Sequence, residues 1–176
     1  MTATRRPIES FANIHAHGLP PSADTVLSIS PGDAMAADGF YSAGIHPWDT
    51  PAPAERLLEL ERLAASDGRI VAVGECGLDK LRGAPLDEQE RVFEAQIEIA
   101  ERTGLPLIIH CVRALDRLLR LRRRHPSGRW ILHGFRGGEA SARQLLDAGI
   151  DLSFGLRYNE AAFDATPEYR RFRESD

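Results

Sequence analysis

The stretch Ile70-Val71-Ala72-Val73-Gly74-Glu75-Cys76-Gly77-Leu78-Asp79 runs four apolar or small strand formers into a glycine and then a carboxylate. With no polar alternation before Gly74, it reads as a strand covered on both faces, the usual state in a parallel α/β sheet. Glycines near Glu75 let the backbone turn as the acid emerges. An ionised carboxylate held there is costly unless a cation or hydrogen-bond donors meet it. The rest of the chain must therefore deliver partners to Glu75.

Upstream, Phe11 to Ala16, Thr25 to Ile29 and Phe40 to Ile45 read as strands. Ala54 to Ala65 sets leucines at 57, 58, 60 and 63 among acids and arginines, an amphipathic helix. Downstream, Asp87 to Thr103 is a helix with Val92, Phe93, Ile97, Ile99 and Ala100 in its apolar stripe, stopped by Gly104. Leu105 to Ile109 is a strand ending at His110. Arg113 to Arg124 is a helix whose arginines at 113, 117, 120 and 124 share a face read as solvated. Trp130 to Leu132, Ile150 to Phe154 and Arg171 to Glu174 complete the strands, with a helix over Gly138 to Ala148. Up to eight strands, with helices after the third to sixth, predict a (β/α) TIM-type barrel rather than an open doubly wound sheet. No Gly-x-Gly-x-x-Gly follows the first strand, which speaks against a dinucleotide-binding fold.

A chain of 176 residues is long enough for one substantial core and short for two, so a single domain over 1–176 is expected. Hydrophobic residues at 43% and charged ones at 27% describe an ordinary soluble globular protein. No apolar run approaches the roughly 18 residues of a membrane span. No apolar segment follows Arg5 and Arg6 in the manner of a secretory leader. Cys76 and Cys111 each come one residue after a strand-end candidate and so face away from it, as free thiols of a reducing cytoplasm. A cytoplasmic protein without an obligate protein partner is expected. Its net charge of −4 does not advertise a nucleic-acid binder, so a phosphate-rich substrate must be held locally, by metal or a small basic patch.

His15, His17, Glu75, His110 and His133 all come at or just past the C-terminal ends of apolar strands. In a barrel those ends share the face that carries active sites. Singly, each strand-end histidine is more often a hydrogen-bonded core residue than a ligand, and His15-Ala16-His17 more often a loop cap than a metal pair. Converging on a carboxylate, they describe a divalent metal site whose nitrogen and oxygen donors suit zinc, manganese, iron or cobalt, with magnesium favoured by oxygen-richer sets. His46, before Pro47, either touches substrate or holds its loop. His125, in Arg-Arg-His-Pro, is read as surface.

Five ordered motifs resemble one family. Asn13-Ile14-His15-Ala16-His17, Gly44-Ile45-His46-Pro47-Trp48, Val73 to Asp79, Leu107 to Arg113 and Leu132-His133-Gly134-Phe135 are similar to those of the TatD-like metal-dependent hydrolases. The compact bacterial branch of this TatD DNase family is the nearest in pattern, and the family belongs to the amidohydrolase-type barrels. The resemblance implies one or two divalent ions (Mg, Mn or Zn). His15 and His17 would hold one, Glu75 would bridge, and His110 and His133 would hold the second. It also implies an acidic ligand where the family has Glu-Thr-Asp; Glu174-Ser175-Asp176 occupies that place and assigns Asp176. Asn13 stands where the family commonly has Asp. The family continues past this motif with a helix, so a barrel missing that helix, truncated or open there, is expected.

The activity so implied is that of a phosphodiesterase or deoxyribonuclease, with nucleic acid or another phosphodiester as substrate. A metal-activated water would attack, Asp176 would orient it and accept its proton, and Glu75 would serve both catalysis and metal. Arg113 either neutralises phosphate charge or starts the solvated helix face, and Lys80 either reaches a second phosphate or is a surface lysine. The alternatives are an esterase or amidase, such as an aminoacyl-tRNA deacylase, and an inactive truncated barrel that only binds metal. Metal analysis of purified protein is expected to find bound cation lost in both His15→Ala and Glu75→Ala with the fold retained. Cation retained at wild-type levels in either would exclude that residue from the site.

Overall fold

A computed structural model describes residues 5–52 and 54–176; Met1–Thr4 of the N-terminal segment, Pro53 of the proline-rich loop and those five positions of the expected 1–176 domain lie outside the described residues. Eight strands form one sheet: β1 (Asn13–Ala16), β2 (Thr25–Ile29), β3 (Phe40–Ala43), β4 (Ile70–Asp79), β5 (Leu107–Val112), β6 (Trp130–Leu132), β7 (Ile150–Phe154) and β8 (Arg171–Arg173). Each pairs in parallel with its neighbour in sequence, from β1 round to β8. The Ser175 N–H donates to the His15 carbonyl at 3.2 Å, and Asn13 Nδ2 donates to Ser175 Oγ at 2.7 Å, bringing the end of β8 beside β1. The expected TIM-type barrel is present and nearly closed. Helices α1 (Ala54–Ser66), α2 (Leu86–Thr103), α3 (Leu115–Arg124), α4 (Glu139–Asp147) and α5 (Glu160–Ala165) follow β3 to β7 in turn. Residues 174–176 follow β8 without regular structure.

Side-chain alternation sorts the strands into two apolar clusters. Leu107, Ile109, Trp130 and Leu132 pack outward against Phe93, Ile97, Leu118 and Leu145 of the helices. Ile108 and Ile131 point inward with Ile14, Val26, Val71 and Phe172 and fill the lower barrel. Two residues further along the same inward face come His110 on β5 and His133 just past β6, because strand side chains repeat with period two. The apolar plug is thus the floor on which the polar mouth rests.

Several local readings shift. β3 stops at Ala43, so His46 lies in a loop before the 3₁₀ turn Pro47–Asp49 rather than at a strand end. β5 runs on to Val112, which places His110 inside a strand. The six-residue α5 was too short for helical periodicity to reveal; its one local signal is Asn159, whose side chain accepts from the Ala162 N–H at 3.0 Å. The arginine face of α3 is not simply solvated. Arg117 and Arg120 reach Glu90 of α2 at 3.1 and 3.3 Å, and Arg124 reaches Glu94 at 2.6 Å. His125 joins this ladder, 3.0 Å from Glu94 and 3.5 Å from Glu101, and is largely buried rather than a surface residue. Such part-exposed pairs are worth only a few tenths of a kcal/mol to about 1 kcal/mol each and set register more than stability. Among the described residues no helix is long and apolar enough to cross a membrane.

β4 and β5 change register between Val73 and Cys76, where Gly74 and Gly77 bring the two backbones unusually close. Gly77 has φ +136°, and a Cβ there would overlap the His110 carbonyl oxygen. Gly77→Ala is accordingly expected to part β4 from β5 and lower stability by about 2 kcal/mol or more, as backbone strain in a packed strand does. Urea unfolding checks this; an unchanged midpoint would mean that the strands have slack at this point.

Candidate metal centre

The Glu75 carboxylate, almost fully buried inside β4 rather than at its end because the strand runs on to Asp79, is ringed by five imidazoles. Its two oxygens divide them. Oε2 lies 3.4 Å from His15 Nε2 and 3.2 Å from His17 Nε2. Oε1 lies 3.1 Å from His46 Nε2, 2.9 Å from His110 Nδ1 and 2.8 Å from His133 Nε2. The Asp176 carboxylate completes the first side, 3.9 Å from His15 Nε2 and 4.0 Å from His17 Nε2. Three groups lie close enough for one ion each: His15, His17 and Asp176; His15, Glu75 and His133; His46, Glu75 and His110. A cavity of about 540 Å³ opens above them, with Ser28, Asp33 and Asp49 on its far wall.

The ring orientations are set by groups that the sequence did not single out. His110 turns Nε2 to Asp79 Oδ2 at 3.2 Å, and His133 turns Nδ1 to Glu174 Oε1 at 3.4 Å. A carboxylate on one ring nitrogen fixes that nitrogen as the N–H donor and leaves the other lone pair for a metal. Asp79 is itself held by Trp48 Nε1 at 2.7 Å and the Leu81 N–H at 2.8 Å, and Glu174 by the Gly134 N–H at 2.8 Å. His46 differs: its Nδ1 accepts from the Trp48 N–H at 3.2 Å, so its Nε2 is the donor and hydrogen-bonds Glu75. That tautomer suits a residue that orients Glu75 better than one that ligates. Both ring nitrogens of His15 are buried without a hydrogen-bond partner, the condition of an imidazole shaped for a cation.

Two buried glutamines of α2 anchor the loops that carry these groups. Gln96 accepts from the Ile45 N–H at 2.7 Å and donates to the Ile45 carbonyl at 3.0 Å, next to His46. Gln89 accepts from the Asp79 N–H at 2.7 Å and donates to the Asp79 carbonyl at 2.9 Å. Seven residues apart, they occupy one helix face two turns along. Signals for Asp79 and Glu174 were present: each lies at an even spacing from a singled-out acid, Glu75 and Asp176, on an extended chain.

The structure thus gathers His15, His17, His46, Glu75, His110, His133 and Asp176 in one place. Lys80 and Arg113 are exposed and stand outside the main cavity; Arg113 lines a neighbouring one. Cys76 is buried among the outer apolar residues, and Cys111 lines the neighbouring cavity. Burial pushes the Cys111 thiol up to about 11, leaving it protonated.

Charge in the cluster is finely opposed. Burial is the largest influence on Glu75 and works against ionisation, but the hydrogen bonds from His110, His133 and His17, with His15 close by, outweigh it and hold the carboxyl far below its usual range. Burial likewise opposes protonation of His133, yet Glu174 and Glu75 raise it to about 10. The hydrogen bond to Glu75 raises His17, whereas loss of water lowers the wholly buried His15.

Comparison with known proteins gives a consistent outcome. The family model described as TatD related DNase matches residues 14–171. A 3'-5' ssDNA/RNA exonuclease TatD of Klebsiella pneumoniae (strain 342) is 36% identical over 120 residues, 63% of this chain and 43% of that protein. The protein of the same name from Cronobacter turicensis is 34% identical over 155 residues, 82% of this chain and 58% of that one. The chain therefore spans about half the length of the curated relatives it matches. YJJV, a TatD homolog from Escherichia coli k12, superposes with a TM-score of 0.75 at 22% identity, covering 86% of this chain and 66% of that one, a likeness of fold.

With His133 protonated near neutrality, the ion-free fold gains stability that is fully present below about pH 6.5 and fades as pH rises toward 10. A ligand must be neutral, so a divalent ion entering beside His133 displaces that proton. Titration calorimetry with Zn²⁺ or Mn²⁺ in buffers of differing ionisation heat is expected to record about one proton released at pH 7 and an affinity that rises with pH. Uptake without proton release would exclude His133 from the ion's contacts.

Proposed function

The chain belongs to the TatD related DNase family, and on that premise we propose that it is a divalent-metal-dependent hydrolase of phosphodiester bonds, a nuclease acting on single-stranded nucleic acid. The observation that carries this is the division of the Glu75 carboxylate, with His15 and His17 at one oxygen and His110 and His133 at the other. A carboxylate so flanked would offer one oxygen beside His15 and His17 and the other beside His110 and His133 to whatever ions the site holds. The unpartnered nitrogens of His15 and the all-nitrogen-and-oxygen donor set fit one or two divalent ions of the zinc, manganese or magnesium kind. His15, His17, Glu75, His110, His133 and Asp176 would hold them. When bound, such ions lower the pKa of water toward neutrality and neutralise charge on a phosphate oxygen.

The chain's own groups have distinct tasks in this scheme. Asp176 is part-exposed at the cavity mouth and is the acid free to orient the attacking water and take its proton. Glu174 and Asp79 keep the His133 and His110 lone pairs turned inward, which preserves the donor set through each turnover. His46 steadies Glu75 and borders the space where substrate enters. Arg113 and Lys80, exposed beside the mouth, supply positive charge to a polyanion that the acidic chain as a whole would not attract. The apolar plug below excludes water from the floor and stiffens the ligands' strands.

The unit so described is one amidohydrolase-type domain, and its unpaired thiols suit the cytoplasm. Its relatives in Klebsiella pneumoniae and Cronobacter turicensis are 3'-5' exonucleases of single-stranded DNA and RNA, and that substrate class is the one proposed.

Parallel assays on a single-stranded oligonucleotide, a small phosphodiester reporter and an aminoacyl ester, each with added Mg²⁺, Mn²⁺ or Zn²⁺, test the proposal. The oligonucleotide is expected to be cut, and Asp176→Asn to slow that cleavage by about a hundredfold or more, the scale of a lost general base. Cleavage of the aminoacyl ester alone would reassign the chain to carboxylic-ester hydrolysis, and no turnover with any metal would leave a binding protein.

A further inference from the structure

A second cavity, of about 380 Å³, opens between the upper ends of β5 and β6 and the starts of α3 and α4. His133 lines both this cavity and the one over Glu75, so the two spaces share a wall. Its floor is apolar, formed by Leu132, Phe135 and Leu145 with the part-buried Leu115. Its lips are two exposed arginines, Arg113 from the end of β5 and Arg136 from the loop after His133.

These two cations differ from those around them. Arg117, Arg124, Arg129 and Arg170 are each tied to a carboxylate at 3.1 Å or less. Among the described residues, neither Arg113 nor Arg136 has a carboxylate within 4.0 Å, although Asp116 lies three residues from Arg113. Arg113 is also the one non-glycine residue described with a positive φ, +51°. A long side chain adopts that conformation at a cost, which the surrounding structure must impose. The chain thus turns sharply between β5 and α3 at the residue that forms one lip.

A pair of unneutralised guanidinium groups over an apolar floor matches an anion with an apolar body. Planar forks fit phosphate oxygens, and the volume lies within the range of small-molecule sites. The cavity sits beside the metal centre rather than over it, so its occupant is a neighbour of the reacting group. We propose that this groove seats the nucleotide adjoining the scissile phosphodiester, with Arg113 and Arg136 on its phosphate and its base or sugar on the Leu132 and Phe135 floor; this rests on the nuclease function proposed above. The groove makes the enzyme prefer a strand to a small ester. It also gives a net-acidic protein a local hold on a polyanion.

The test is cleavage of a single-stranded hexanucleotide and of bis(p-nitrophenyl) phosphate, measured between 50 and 300 mM KCl. Arg136→Gln removes the charge from an exposed loop, and Arg113→Asn removes it with a residue that tolerates positive φ, so both variants should fold. Each is expected to raise KM for the hexanucleotide roughly tenfold, the scale of one charge-assisted hydrogen bond, and to raise it less for the small ester. The slope of log KM against log salt should fall by about 0.7 for each phosphate that no longer meets an arginine. A slope unchanged in both variants while the hexanucleotide is still cut overturns the groove alone. Equal rises in KM on both substrates do the same, since they place the arginines at the reacting group. A wild-type protein that cuts the small ester but neither binds nor cuts the hexanucleotide overturns the nuclease function and the groove together.

Discussion

A carboxylate buried within a parallel strand has to be neutralised, and this requirement organises the molecule. Glu75 sits where the sheet would otherwise tolerate only apolar or small groups. Five imidazoles meet it because four segments, the β1 end, the loop after β3, β5 and the β6 end, reach the same rim of the barrel. Without them, burial would drive the acid to its neutral form; with them, it stays an anion and becomes the hub of the site. The register change between β4 and β5, and the glycines that allow it, bring the acid inward at the level of His110. Local backbone and global electrostatics serve the same point.

Around that hub lies a layer whose work is orientation. Asp79 and Glu174 fix which nitrogen of His110 and His133 faces the centre, Trp48 braces Asp79, and Gln89 and Gln96 of α2 tie down the loops at Asp79 and Ile45. These contacts are short-range and directional, so a displaced ring loses its lone-pair alignment before it loses its packing. The inward isoleucines and Phe172 beneath stiffen the same strands. Positive charge collects to one side, at Arg113 and Arg136, where the β5 and β6 loops open a groove that shares His133 with the centre.

Much of the fold was legible because it is written in periodicities. Apolar strands, a 3.6-residue stripe on α1 to α3 and a glycine stop gave the element order, and order with parallel pairing gave the barrel. His15, Glu75, His110 and His133 were legible because an apolar run leads into each of them, whereas Asp176 came only from the resemblance. What escaped had no periodic signature: the six-residue α5, the exact side of β3 on which His46 falls, and the pairing of the α3 arginines with the acids of α2. Those arginines looked solvated because an acid thirty residues away is invisible to a helical wheel.

The sequence by itself determined the class of fold, the rim on which the chemistry sits and the residue types that meet there, since each follows from local pattern and chain direction. Only the tertiary structure decided how the five imidazoles divide between the two oxygens of Glu75, that His46 Nε2 hydrogen-bonds Glu75, and that Asp79 and Glu174 hold the rings. Those outcomes depend on distances of about 3 Å between side chains as far as 60 residues apart in the chain, from His15 to Glu75. Hydrogen-bond partnership at that range is a property of packing, and no spacing along the sequence encodes it.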